Sequence, residues 1–158
     1  MKTHTIVMGV IGEDCHSVGN KVLHVAFKNR GFTVLNLGVQ CSQSELINAA
    51  KQERADAIII SSLYGHAELD CRGFHSNCLK NGLDNILLYI GGNLSIGKSD
   101  WKEVNKKFRR LGFHRVFSPS DDIELAISEI YQDISQQKTL DKKNSMETLN
   151  ANQKRKVD

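Results

Sequence analysis

Short apolar runs rich in β-branched residues alternate with longer amphipathic stretches along the first 135 residues. The runs have the length and composition of buried strands, and the stretches repeat their apolar positions with the period of a helix. Strands are predicted at 5–11, 33–37, 57–61, 86–90 and 115–117, and helices at 18–30, 44–53, 68–81, 100–111 and 123–135. This β/α alternation predicts an α/β fold with a parallel sheet covered on both faces.

Five such strands favour a flavodoxin-like (Rossmann-like), doubly wound sheet in the order 2-1-3-4-5. The switch point of that order lies between the first and third strands, where open α/β sheets bind ligands. The loops after the first, third and fourth strands are predicted to meet at this edge. They are 12–19, 61–65 and 91–97. These loops contain most of the glycine, hydroxyl and ionisable residues that could contact a ligand.

The helical and strand periodicity fades after residue 136. We therefore predict one folded domain over 1–137 and a polar, disordered tail over 138–158. The tail holds six basic and three acidic residues, a difference equal to the net charge of +3 of the whole chain. Residues 1–137 are thus neutral overall, which argues against a nucleic-acid-binding surface.

The lengths of the apolar runs and the amino-terminal residues predict where in the cell the protein is found. Runs such as 57–60 are far too short to span a bilayer, so no membrane association is expected. The first five residues pass directly into a predicted strand, which leaves no room for a signal peptide, and we predict a cytoplasmic protein. The four cysteines form no C-x-x-C pair and are interpreted as free thiols.

The loop Gly12-Glu13-Asp14-Cys15-His16-Ser17-Val18-Gly19 carries the candidate chemistry. Asp14 can accept a hydrogen bond from one ring nitrogen of His16, as metal-binding histidines usually require. Gly19 removes a side chain where the helix begins, so that a bulky ligand can approach the backbone. One histidine with distant cysteines is inadequate for zinc. A single protein ligand suits a macrocycle that supplies the other donors, a corrin or a haem.

Asp14, His16 and Gly19 match D-x-H-x-x-G, the signature of cobalamin-binding domains in which a protein histidine takes the lower axial position on cobalt. Ser61 and Leu63 match the S-x-L motif of the same domains.

A pair of glycines after the fourth strand, Gly91 and Gly92, matches their third motif. With all three motifs in order, residues 3–135 resemble the small cobalamin-binding subunit of glutamate mutase (methylaspartate mutase). The run 9–12, the run 61–65 and the compact length favour this family over other cobalamin-dependent relatives.

The resemblance implies that this subunit binds adenosylcobalamin, with His16 as the axial cobalt ligand and the nucleotide tail extended into the domain. The residues implied to bind the cofactor are Glu13, Asp14, Cys15, His16, Ser17, Gly19, Ser61, Ser62, Leu63, Gly91, Gly92, Asn93, Leu94, Ser95, Ile96 and Gly97. The implied reaction interconverts L-glutamate and (2S,3S)-3-methylaspartate by a radical carbon-skeleton rearrangement. The substrate would bind a larger TIM-barrel catalytic subunit, in a heterotetramer of two small and two large chains. No catalytic residue is expected in the small subunit alone, which would be inactive.

Two other hypotheses stay open. The chain could be a cobalamin-binding module for another mutase or a corrinoid methyltransferase. Alternatively, Gly92–Ser99 matches G-x-x-x-x-G-K-S, the phosphate-binding P-loop of nucleotide-binding proteins. Against the P-loop, no predicted strand ends in the acidic residue that would hold magnesium.

Overall fold

Five strands form one parallel sheet in the computed structural model, which describes residues 3–95 and 100–157. The strands are β1 Thr5–Val10, β2 Thr33–Asn36, β3 Ala57–Ser62, β4 Leu87–Gly92 and β5 Arg115–Phe117. Their order is β2-β1-β3-β4-β5, and every neighbouring pair is parallel. The flavodoxin-like order predicted from the alternation of apolar and amphipathic segments is confirmed.

Helices cover both faces of this sheet. They are α1 Ser17–Asn29, α2 Gln43–Glu53, α3 Ala67–Asp70, α4 Phe74–Lys80, α5 Trp101–Arg110 and α6 Ile123–Val157. Because successive strand residues point to opposite faces, the sheet builds two separate cores. On one face Phe27 of α1 and Ile130 of α6 pack with Met8. On the other face, residues of α2 to α5 pack with Val7 and Ile58.

Two differences between the predicted and the observed helices have a local physical cause. The helix expected over 68–81 is divided into α3 and α4, because Gly73 adopts a left-handed φ of +73° between them. Helix α2 begins one residue earlier than the predicted 44, and its cap is Ser42. The hydroxyl of Ser42 accepts a hydrogen bond from the Glu45 main chain, and the Glu45 carboxylate accepts one from the Ser42 main chain.

Helix α6 differs most from expectation, because residues 138–157 continue it where a disordered tail was predicted. This stretch has neither Gly nor Pro, and most of its residues are good helix formers, so propensity permits a helix without a buried face. Every residue over 142–157 is exposed. The contacts of Lys138 with Asp56 and His4 lie near the end of the packed part. The division into a domain of 1–137 and a separate tail stays a prediction.

None of the helices within 3–95 and 100–157 combines the length and apolar character needed to cross a membrane.

Candidate functional site

The loops after β1 and β3 lie side by side at the carboxyl edge of the sheet. Helix α1 leaves β1 toward one face, whereas α2 returns to β3 on the other, so a crevice opens at this switch point. The Ile11 main chain donates a hydrogen bond to the Ser61 carbonyl at 3.1 Å, which joins the two loops at their bases.

Asp14 connects these loops through its carboxylate, which is fully buried as a side chain. Its Oδ1 accepts hydrogen bonds from His16 Nδ1 at 2.6 Å and from the His16 main chain at 3.0 Å. Its Oδ2 accepts one from the Leu63 main chain at 2.7 Å. Burial alone would raise the pKa of this carboxyl, but these hydrogen bonds outweigh burial, and the pKa lies below its ordinary value.

His16 presents the other side of its ring outward. Because the ionised Asp14 only accepts hydrogen bonds, Nδ1 carries the proton in the neutral ring. Nε2 therefore keeps its lone pair, and the side chain is 57% exposed. A neutral imidazole whose tautomer is set by a buried carboxylate is the usual form of a metal-ligating histidine.

A second pair of side chains, Tyr64 and Asp70, supports the same loop from behind. The Tyr64 hydroxyl donates to the Asp70 carboxylate and accepts a hydrogen bond from the Glu13 main chain at 3.3 Å. Burial, followed by the bond to Asp70, raises the pKa of Tyr64 to about 12, so its hydroxyl stays protonated at neutral pH. A Cβ at Gly12 would meet both side chains, which explains the glycine there.

A cavity of about 330 Å³ opens beside His16 between α1, α6 and the sheet, and we call it the α1–α6 cavity. Its lining includes Val10, His16, Gly19, Asn20, Leu23, Phe27, Ile59, Ser61, Leu63, Gly91, Gly92, Phe117, Ile127 and Ile130. Most of these side chains are apolar. The cavity can take part of a ligand against a largely apolar wall, and His16 in its lining carries an imidazole nitrogen available to a metal.

Comparison with known proteins agrees with this geometry. Residues 4–107 match the B12 binding domain family. The chain is 52% identical over 141 residues to the glutamate mutase sigma subunit of Escherichia coli O157:H7, covering 89% of this chain and 95% of that one. It is 48% identical over 135 residues to the same subunit of Clostridium cochlearium, covering 85% and 98%. The chain belongs to the glutamate mutase sigma subunit family.

Among solved structures, a cobalamin-binding protein from Desulfitobacterium hafniense matches with a TM-score of 0.68 at 18% identity. The match covers 84% of this chain and 60% of that protein. At such identity the likeness concerns the fold alone.

Several residues that the sequence proposed for cofactor binding in this sigma subunit homologue line the α1–α6 cavity. They are His16, Gly19, Ser61, Leu63, Gly91 and Gly92. Asp14 lies behind His16. Glu13 and Cys15 are exposed in the same loop, and Ser17 is exposed as the first residue of α1. At Gly19 a Cβ would meet no described atom within 4 Å, so the space beside it is open.

Ser62, the second of the two serines that end β3, does not share the position of Ser61. Ser61 and Ser62 occupy successive strand positions and point to opposite faces of the sheet. Ser61 lines the cavity, whereas Ser62 is completely buried and does not line it. We therefore assign only Ser61 to the cavity.

The described residues of the loop after β4, Asn93 to Ser95, do not line the cavity. Leu94 is 3% exposed and packs in the core on the opposite face, and Ser95 lines a different depression beside α5. Asn93 is exposed and does not line the cavity. Ile96 and Gly97, together with the Lys98 and Ser99 of the P-loop match, lie outside the described residues.

The backbone requires a glycine at position 92, independently of any ligand. Its φ is +115°, and a Cβ there would stand 2.2 Å from the Ser62 carbonyl oxygen. The glycine is required by the close approach of β4 to the end of β3, whatever ligand lies nearby.

Sequence reasoning missed the helical wall of the cavity and its buried asparagine. Ile127 and Ile130 of α6 carry the periodicity of any core helix, which does not distinguish a cavity wall from a packed interior. Asn20 was missed because it lies just beyond the matched motif, one residue after Gly19. A polar residue within the apolar periodicity of α1 was the available signal.

Proposed function

We propose that this chain binds adenosylcobalamin as the cofactor-carrying small subunit of glutamate mutase. In that role it serves the interconversion of L-glutamate and (2S,3S)-3-methylaspartate. When bound, the cofactor supplies the organic radical that begins the carbon-skeleton rearrangement. The chain's own residues bind and orient it.

One observation carries this proposal: His16 is held by the buried Asp14 carboxylate at the mouth of an apolar cavity. The residues present fit a corrinoid on three counts. His16 keeps one nitrogen available to cobalt. The space beside Gly19 is open to a bulky group. The cavity has the size of a nucleotide and is too small for a corrin ring, which would remain at the mouth.

Each part of the site has a proposed task. His16 binds cobalt, and Asp14 keeps the proton on the opposite ring nitrogen and holds the ring in place. Leu63 helps to hold Asp14 through its main chain, so the D-x-H and S-x-L motifs act as one unit. Ser61, Gly91 and Gly92 line the cavity and would contact the nucleotide tail there.

The test is a visible spectrum of the full chain with adenosylcobalamin. We expect a spectrum in which a protein imidazole has replaced the cofactor's own base, and we expect His16→Ala to lose it. His75→Ala is the matched control, because His75 is an exposed histidine on α4, away from the cavity. A His16→Ala spectrum identical to that of the wild type would contradict the ligand assignment.

We also propose that catalysis needs a larger TIM-barrel subunit that binds the amino acid, in a cytoplasmic assembly of two small and two large chains. The sigma subunit relatives support the need for a partner, since a sigma subunit is by name one part of a mutase. The purified chain with cofactor should form no methylaspartate from glutamate until a large subunit is added. Turnover by the chain alone would refute this division of labour.

A further inference from the structure

Asn20 is a buried polar residue on the wall of the α1–α6 cavity. It lies in the first turn of α1 and is 4% exposed. Its Nδ2 is buried and has no hydrogen-bond partner among the residues that the structure describes. A buried amide donor without an acceptor is costly, so the group calls for a partner that residues 3–95 and 100–157 do not provide.

The direction of the Asn20 amide follows from its neighbour Asn36, at the end of β2. The Gly38 main chain donates a hydrogen bond to Asn36 Oδ1 at 2.9 Å. Because a main-chain N–H can only donate, the Asn36 atom that it meets must be the oxygen.

The other end of the Asn36 amide is therefore its nitrogen, which donates to Asn20 Oδ1 at 2.6 Å. Asn20 must then turn its oxygen toward Asn36, which leaves its NH₂ as the unpartnered end. The relay starts from a main-chain group, so the polarity of both amides is determined.

Asn20 lines this largely apolar cavity, and a donor of fixed direction on that residue selects a ligand atom that accepts hydrogen bonds. The cavity volume of about 330 Å³ suits a nucleotide rather than a corrin ring. A nucleotide tail offers phosphate oxygens, ribose oxygens and base nitrogens as acceptors. Of the other polar groups in the lining, the Ser61 hydroxyl can donate or accept, whereas the Asp121 carboxylate can only accept and cannot supply this donor.

We propose that Asn20 donates a hydrogen bond to an acceptor atom of the corrinoid's nucleotide tail, with Asn36 as the residue that positions it. This rests on the proposed function, and it adds a tail-recognising residue outside the three sequence motifs. It predicts discrimination between corrinoids that carry the nucleotide and those that lack it.

The test compares the affinities of the full chain for cobalamin and for cobinamide, the same corrin without the nucleotide. Asn20→Ala should weaken cobalamin binding by about three- to ten-fold, the range of one net hydrogen bond, and leave cobinamide binding unchanged. Asn29→Ala should change neither affinity, because Asn29 is an exposed asparagine on the same helix. Circular dichroism checks that each variant is folded.

Asn20→Asp tests the polarity of the contact. At about pH 8, where the new carboxyl is ionised, it places an acceptor against the ligand's acceptor and should weaken cobalamin binding at least as much as alanine. Tighter cobalamin binding by Asn20→Asp would overturn the proposal. So would an Asn20→Ala variant that loses affinity equally for both corrinoids, or for neither.

A measurement on the unmodified sequence completes the test. In ¹⁵N-labelled wild-type protein, the Asn20 side-chain NH₂ resonances should shift when diamagnetic hydroxocobalamin is added, and shift far less with cobinamide. Equal shifts with both would overturn the proposal. A wild-type chain that binds no cobalamin would overturn the proposed function itself. Normal cobalamin binding with unchanged Asn20 variants would overturn only the role of Asn20.

Discussion

Asp14→Asn tests whether the buried carboxylate holds the site together. Three N–H groups point at this carboxylate, from His16 Nδ1, the His16 main chain and the Leu63 main chain. An asparagine amide has one oxygen, so its NH₂ must face at least one of these donors. One hydrogen bond to a charged acceptor is lost, and one buried N–H is left without an acceptor.

We expect the free energy of unfolding to fall by about 3 kcal/mol, from these two losses at roughly 1–3 kcal/mol each. For a chain of this length the melting midpoint should fall by about 6–12 °C. Urea denaturation at neutral pH measures the free energy, and Asp84→Asn is the matched control, because Asp84 is exposed on a turn.

The pH dependence provides a sharper check. The pKa of Asp14 is lowered in the folded state, so its contribution is fully present above the unfolded carboxyl pKa of about 4 and is lost as pH falls through the folded value. The stability gap between wild type and Asp14→Asn should therefore shrink below about pH 4. A gap that stays constant as the pH falls, or no gap at neutral pH, would refute this account of the site.

Three further outcomes follow from the structure. Tyr64→Phe removes the hydroxyl that joins Asp70 to the loop after β1. Urea denaturation should show a free energy of unfolding lower by about 1–2 kcal/mol, and cobalamin binding should be weaker. Gly92→Ala should lower the free energy of unfolding by about 3 kcal/mol or more, because a Cβ would meet the main chain of β3. Gly82 also has a positive φ but lies in open space, so Gly82→Ala should lower it by only about 1 kcal/mol. Equal losses in the two variants would contradict the steric argument. A chain ending at Asp141 should bind cobalamin with unchanged affinity, since 142–157 is exposed, and a large loss in a titration would show that the extension belongs to the site.

The fold and the position of the site could be predicted from sequence because the signals are local. Apolar runs of strand length alternating with amphipathic segments determine a parallel sheet, and the sheet order follows from general rules of connection. The Asp14–His16 contact spans only two residues, and the sequence alone therefore indicated it.

Tertiary structure decided everything that depends on which face a residue occupies or on a contact across the chain. The Leu63 main chain reaches Asp14 across 49 positions. Ser61 and Leu94 were both predicted to bind the cofactor. Ser61 lines the cavity, whereas Leu94 packs in the core on the opposite face of the sheet. The amide of Asn20 acquired a direction only when β2 brought Asn36 beside it, because no local pattern encodes the pairing of side chains on separate elements.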